Sequence, residues 1–133
     1  MCGIIGIFGN NNPSEKARIS LGKITHRGSS VFELKNFAKG TLGANRLPIV
    51  DREFGQQPLS NEEETIFAAQ NGEIFNYKEL QDELRSKGHS FKTDSDTEVL
   101  VHLYEEYGAL MVNKLDSEMF AFVIYASKQD FFF

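Results

Sequence analysis

The sequence predicts a mixed α+β domain, on three observations. Apolar segments rich in Ile or Phe, Cys2 to Phe8, Met119 to Tyr125 and Phe131 to Phe133, gather strands at both ends of the chain. Two helical patterns with start and stop signals, after Asn76 and after Ser95, fill the stretch between them. A length of 133 residues gives room for one domain, residues 1–133, and not for two.

The elements follow in order. Cys2 to Phe8 is rich in Ile and predicts a strand buried on both faces. Asn10 to Asn12 reads as a turn, with Asn12 as cap and Pro13 opening a helix on which Ala17, Leu21 and Ile24 share a face. His26 to Ser30 breaks that pattern as a loop. Phe32 to Ala38 alternates as a strand, Gly40 turns the chain, and Thr41 to Asn45 returns as the second arm of a hairpin. Pro48 and Pro58 bracket an irregular section. Thr65 to Ala69 is a short strand, and Asn71-Gly72 favours the positive φ of a hairpin turn. Asn76 caps a helix with Leu80 and Leu84 one turn apart, stopped by Gly88. Ser95 to Glu98 forms a capping box for a second helix, which turns Val99, Leu100, Leu103 and Tyr107 inward and ends at Gly108.

Composition excludes several functions. The net charge of −5 comes from acids dispersed among bases, so the basic stripe of a nucleic-acid partner is missing. No apolar run approaches the ~18–20 residues of a membrane span. The N-terminus lacks the basic leader and cleavage site of a signal peptide, which predicts a cytoplasmic protein without a membrane partner. A single cysteine excludes an internal disulfide and a cysteine-rich metal site. The three histidines, 26, 89 and 102, have no ligand spacing along the chain, so no metal site is expected.

That lone cysteine holds the chemistry. An isolated Cys is most simply a small buried hydrophobe, but here it directly follows Met1. Loss of Met1 would put a thiol and a free α-amine on Cys2, a nucleophile and, since free α-amines titrate at about 7.7–8.0, a base available near neutral pH on one residue.

The motifs around it form a pattern. MCGIIGIFG is followed by His26-Arg27-Gly28, the run Leu42 to Asp51 (LGANRLPIVD) and Gly55 to Leu59 (GQQPL). Then come Asn71 to Leu80 (NGEIFNYKEL), Ser95 to Leu100 (SDTEVL), Tyr104 to Gly108 (YEEYG) and Met119 to Tyr125 (MFAFVIY). In order and spacing this resembles the class II, N-terminal-nucleophile glutamine amidotransferases, most of all the glutaminase domain that opens asparagine synthetases. The resemblance spans practically the whole chain. It implies the Ntn-hydrolase fold, a four-layer α/β/β/α sandwich, here C-terminally incomplete because the chain stops where the family continues.

The implied reaction releases ammonia from L-glutamine through a Cys2 thioester, for transfer to an ATP-activated carboxylate that converts aspartate to asparagine. Asn71 and Gly72 would supply the oxyanion donors that a tetrahedral intermediate needs. Arg46 would hold the substrate carboxylate, Glu73 and Asp96 its ammonium, and the backbone from Leu47 through Pro48 and Ile49 to Val50 would line the slot. Read without the family, Asn71-Gly72 is a turn and Asp96 a first-turn acid favoured by the helix dipole. His26 is read as structural. The domain itself would need no cofactor, since ATP and Mg would belong to a synthetase domain or subunit, its expected partner.

The sequence departs from the family pattern at three places. Ser29-Ser30 stand where Pro-Asp is usual, Glu118 where Gly is usual, and Ala126 where Asp is usual. An unpaired edge beside Phe131 to Phe133 predicts poor stability alone, or a homodimer through that edge. Two other readings stand beside the enzyme: a catalytically weak remnant that binds glutamine, and the amidotransferase half of a synthase with another acceptor.

Overall fold

The computed structural model describes every residue of the chain except Met1, Asn10 and Ser30, so those parts of the first turn and of the 26–30 loop lie outside the described residues. The strands form two antiparallel sheets. The first contains β1 (Gly3–Phe8), β2 (Glu33–Phe37) and β3 (Gly40–Asn45) in the order β1-β3-β2. The second contains β4 (Leu59–Ser60), β5 (Ile66–Asn71), β6 (Ala121–Ala126) and β7 (Phe131–Phe132) in the order β4-β5-β6-β7. Helix α1 (Pro13–Lys23) covers the first sheet, while α2 (Tyr77–Ser86) and α3 (Asp96–Tyr107) cover the second. Short 3-10 turns follow α1 at Thr25–Arg27 and α3 at Gly108–Lys114.

The period-2 alternation of each strand explains the four layers. On β5, Phe67 and Ala69 point to the first sheet and meet its Leu42 and Ala44 in one cluster with Tyr125 of β6; Ala68 between them joins the helix-side core. On β6, Val123 and Tyr125 face the first sheet and Ile124 faces the helices. Leu80 and Leu84 of α2, with Val99, Leu100 and Leu103 of α3, close that second core around Ile74 and Met111. Between the sheets lies an aromatic cluster of Phe37, Phe67, Tyr125 and Phe132. Phe37 stacks on Tyr125 at 3.8 Å between centroids and meets Phe132 edge-on at 6.5 Å. Burial pushes the Tyr125 hydroxyl up to about 12, aided by its hydrogen bond to Asp130.

Several sequence expectations are corrected. β1 is an edge strand with Phe8 exposed, not a strand buried on both faces; the fully buried strand is β3, enclosed between β1 and β2. Asn71-Gly72 is no hairpin turn, because β5 leads into α2 and pairs with β4 and β6 instead. The 26–30 loop begins within a 3-10 turn. Asn12 and Asn76 sit at the N-cap positions without a side-chain cap bond, and Asn76 instead bridges Lys114 O and Asp116 N. Ser95 does cap α3 through Thr97 N, but Glu98 does not reach back to it. Glu98 turns to the approaching loop and accepts from Lys92 N, Thr93 N and Thr93 Oγ1. The terminal Phe residues are not left uncovered: Phe132 packs between the sheets, Phe133 lies against Tyr104 and Phe122, and only Phe131 is half exposed. No helix of the described residues is long and apolar enough to cross a membrane.

Candidate active site

Strand phase delivers two of the predicted residues. Cys2 precedes β1 in register with Ile4, which faces the second sheet. Asn71 ends β5 in register with Phe67 and Ala69, which face the first. The two positions therefore look toward the space between the sheets from opposite sides. At that end a cavity of about 290 Å³ opens, lined by Cys2, Arg46, Leu47, Ile49, Val50, Gly72, Glu73 and Asp96 of the predicted set. Pro48 and Asn71 do not line it, although Asn71 carries a buried side-chain oxygen with no hydrogen-bond partner among the described residues.

Cys2 is held on both sides. Its Sγ accepts from Leu47 N at 3.3 Å and lies 3.8 Å from Leu47 O. Its carbonyl accepts from Arg27 Nε at 3.1 Å, which gives the His-Arg-Gly loop its place beside the thiol. Gly28 in that loop has no room for a side chain, since a Cβ there would fall 2.5 Å from Asn45 O.

Arg46 is nearly buried, with Nη2 donating to the carbonyls of Val50 and Asp51. Burial pushes its guanidinium down from the ordinary value, while neighbouring Cys2, Asp51 and Asp96 hold it up. The guanidinium thus does two things. It fastens the 46–51 loop into an arc, and it places positive charge on the cavity wall. Asp51, at a positive φ of 45°, ties the arc down in turn: Oδ1 accepts from Phe54 N at 3.0 Å and Oδ2 from Asp94 N at 2.9 Å. These hydrogen bonds, that from Phe54 foremost, hold its carboxyl below the usual range against the effect of burial.

Across the cavity Asp96 is also nearly buried. Its Oδ2 accepts from Gln70 Nε2 at 2.8 Å and from Ile74 N at 3.0 Å, so it lies at the start of α3 and braces the segment after Gly72. Gly72 has φ 145°, and a Cβ there would lie 2.5 Å from Phe120 Cβ. Glu73 is exposed at the rim, and its carbonyl accepts from Ser117 Oγ at 2.7 Å.

Sequence reasoning missed Gln57, Phe75, Ser95, Glu118 and Met119, which complete the lining. Gln57 and Phe75 lie inside quoted motifs but carry no charge or nucleophile to single them out. Gln57 is a strut, accepting from Gln70 N at 2.6 Å and donating to Thr97 Oγ1 at 3.0 Å. Glu118 was visible only as a departure from the family pattern.

The family model described as "Glutamine amidotransferase domain" matches residues 1–133. An asparagine synthetase [glutamine-hydrolyzing] of Sandersonia aurantiaca is 39% identical over 99% of this chain and 25% of its own length. Asparagine synthetase 3 of Arabidopsis thaliana is 44% identical over 93% of this chain and 22% of its own, and a probable one of Dictyostelium discoideum 42% over 99% and 24%. The chain therefore spans about a quarter of the length of these relatives. In fold it is similar to the glutamine phosphoribosylpyrophosphate amidotransferase of B. subtilis, with a TM-score of 0.75 at 22% identity over 96% of this chain and 35% of that one. Matched by the family model over its whole length, the chain belongs to the glutamine amidotransferase domain family.

Proposed function

We propose that this domain hydrolyses the side-chain amide of L-glutamine with Cys2 as an N-terminal nucleophile. One observation carries the reading. Four segments far apart in sequence bring a thiol, a guanidinium, two carboxylates and a glycine N–H to one cavity. The substrate's own groups match them: its carboxylate to Arg46, its ammonium to Asp96 and Glu73.

Once Met1 is removed, the Cys2 α-amine takes the thiol proton as Sγ attacks the amide carbon. The oxyanion is met by the Asn71 amide and the Gly72 N–H. The C–N bond then breaks, the α-amine returns the proton to the departing ammonia, and a thioester remains. Water adds to the thioester and releases glutamate and the free thiol. The ammonia passes to an acceptor carboxylate activated by ATP, aspartate in this reading, on a synthetase domain or subunit that would bind ATP and Mg. A reactive thiol nucleophile suits the reducing cytoplasm.

Glutamine-dependent glutamate release tests the reading. Cys2→Ala, and a form with Met1 chemically or genetically retained, are each expected to lose at least about 10³-fold of kcat, as removal of a covalent nucleophile does. Unchanged turnover with Met1 in place would refute it, because the α-amine would then be an amide.

A further inference from the structure

Away from the cavity, the fold unites residues that the spacing of the histidines along the chain had kept apart. Glu62 in the β4–β5 turn, His89 between α2 and α3, and His102 and Glu105 on α3 place one ligand atom each within 4.8 Å of one another. His102 is fully buried, yet neither of its ring nitrogens has a hydrogen-bond partner among the described residues.

The two imidazoles are oriented alike. His89 Nε2 lies 3.1 Å from Glu106 Oε1, and His102 Nε2 lies 3.6 Å from Glu98 Oε1. On the inner side, His89 Nδ1 faces Glu62 Oε1 at 3.6 Å and Glu105 Oε2 at 3.9 Å, and His102 Nδ1 faces Glu62 Oε2 at 3.4 Å. A neutral imidazole whose Nε2–H points at a carboxylate leaves Nδ1 as a lone pair. Two such lone pairs and two carboxylates then converge on one point, and among the described residues no donor reaches either ring nitrogen of His102. Imidazoles backed by a carboxylate on the far nitrogen are how proteins orient histidine ligands. The carboxylates are positioned too: Glu62 Oε1 accepts from Ser90 N at 2.6 Å, and Glu105 Oε2 from Asn61 Nδ2 at 3.2 Å. Lys87, beside this cluster, is engaged with the outer Glu106.

We infer that Glu62, His89, His102 and Glu105 form a binding site for a divalent transition metal of the zinc class, through two Nδ1 atoms and two carboxylates. Tetrahedral ligation at about 2.0–2.2 Å asks these four atoms to draw together from their present spacing. Glu62 and Glu105, each about a third exposed, can close by side-chain rotation and give the ion its way in. Nothing in the glutaminase reading uses the site. It would clip α3, whose first turn carries Asp96, to the β4–β5 turn and to the connection that precedes the helix.

The test uses the whole chain in a Cys2→Ser background, so that the thiol takes no metal, stripped with chelator and titrated with Zn2+ by calorimetry and with Co2+ by visible absorption. One ion per chain is expected, with tetrahedral Co2+ bands and a metal-dependent rise in Tm. Glu62→Gln with Glu105→Gln keeps both side chains near their present size and changes only accessible residues. It should weaken Zn2+ binding by more than about tenfold, the lower end of what even an outer partner contributes. Stoichiometric binding that is absent, or equal in the double variant, would overturn the site. So would NMR titration showing both imidazoles doubly protonated at neutral pH in the presence of Zn2+.

Discussion

Arg46 and Asp96 each have a second task that bears on how their variants should behave. Arg46 holds the carbonyls of Val50 and Asp51, and Asp96 accepts from the backbone of Ile74. Asp96→Ala leaves the buried Ile74 N–H without a partner, which costs about 1–3 kcal/mol of stability. Asp96→Asn keeps an acceptor there and removes only the charge. Both variants should raise KM for glutamine, while only Asp96→Ala should lower Tm clearly; kinetics and thermal melts on the pair separate the roles. Equal glutamine KM in wild type and Asp96→Asn would leave Asp96 as a brace alone. The sequence revealed Asp96 and Cys2 because each belongs to a spaced motif. It did not reveal Gln57 or Gln70, whose parts depend on which atoms meet across the layers.

The irregular 46–58 segment shapes the site, and its conformation rests on two features. Gly55 has Arg46 Nη2 at 2.6 Å and Asp51 O at 2.8 Å from where a Cβ would stand. Gly55→Ala should therefore push the guanidinium off the arc, raising KM and lowering Tm together, as measured by kinetics and melts on one preparation. Asp51 makes the loop acid-sensitive. Its carboxyl titrates below the ordinary 3.8, so the loop's stabilisation is complete above that value and is lost as pH falls through it toward the depressed one. Tm against pH should fall more steeply below about pH 4 in wild type than in Asp51→Asn. Parallel curves would remove Asp51 from this role. Prolines and polar residues in this stretch announced a loop, but they could not announce the carbonyl arc, which arises from one buried arginine.

At the scale of the molecule, two sheets share an aromatic core, and the C-terminal strand contributes to it. Phe132 meets Phe8, Phe37 and Tyr125, whereas Phe131 is half exposed. Phe132→Ala should lose about 3–5 kcal/mol in denaturant unfolding, within the range for a packed Phe, and Phe131→Ala should stay near ±0.5 kcal/mol as a surface change does. Similar losses from both would mean that β7 does not pack as described. The strand-helix order was legible because hydrophobic periodicity is local. β1 was misjudged because an Ile-rich run reads as buried, while edge position is decided by β3 inserting between β1 and β2. The His89–His102 neighbourhood was illegible for the same reason: thirteen positions apart in sequence, the rings stand 4.9 Å apart only after α3 folds back.

The central claim is that Cys2, once N-terminal, attacks glutamine, and covalent trapping tests it most directly. An electrophilic ketone analogue of glutamine should add once per chain to the Cys2 thiol, only in chains that have lost Met1, and glutamine should protect against it. Intact-mass and peptide mass spectrometry read all three. Labelling of Met1-retaining chains at the same rate, or active protein that never acquires the adduct, would contradict the account.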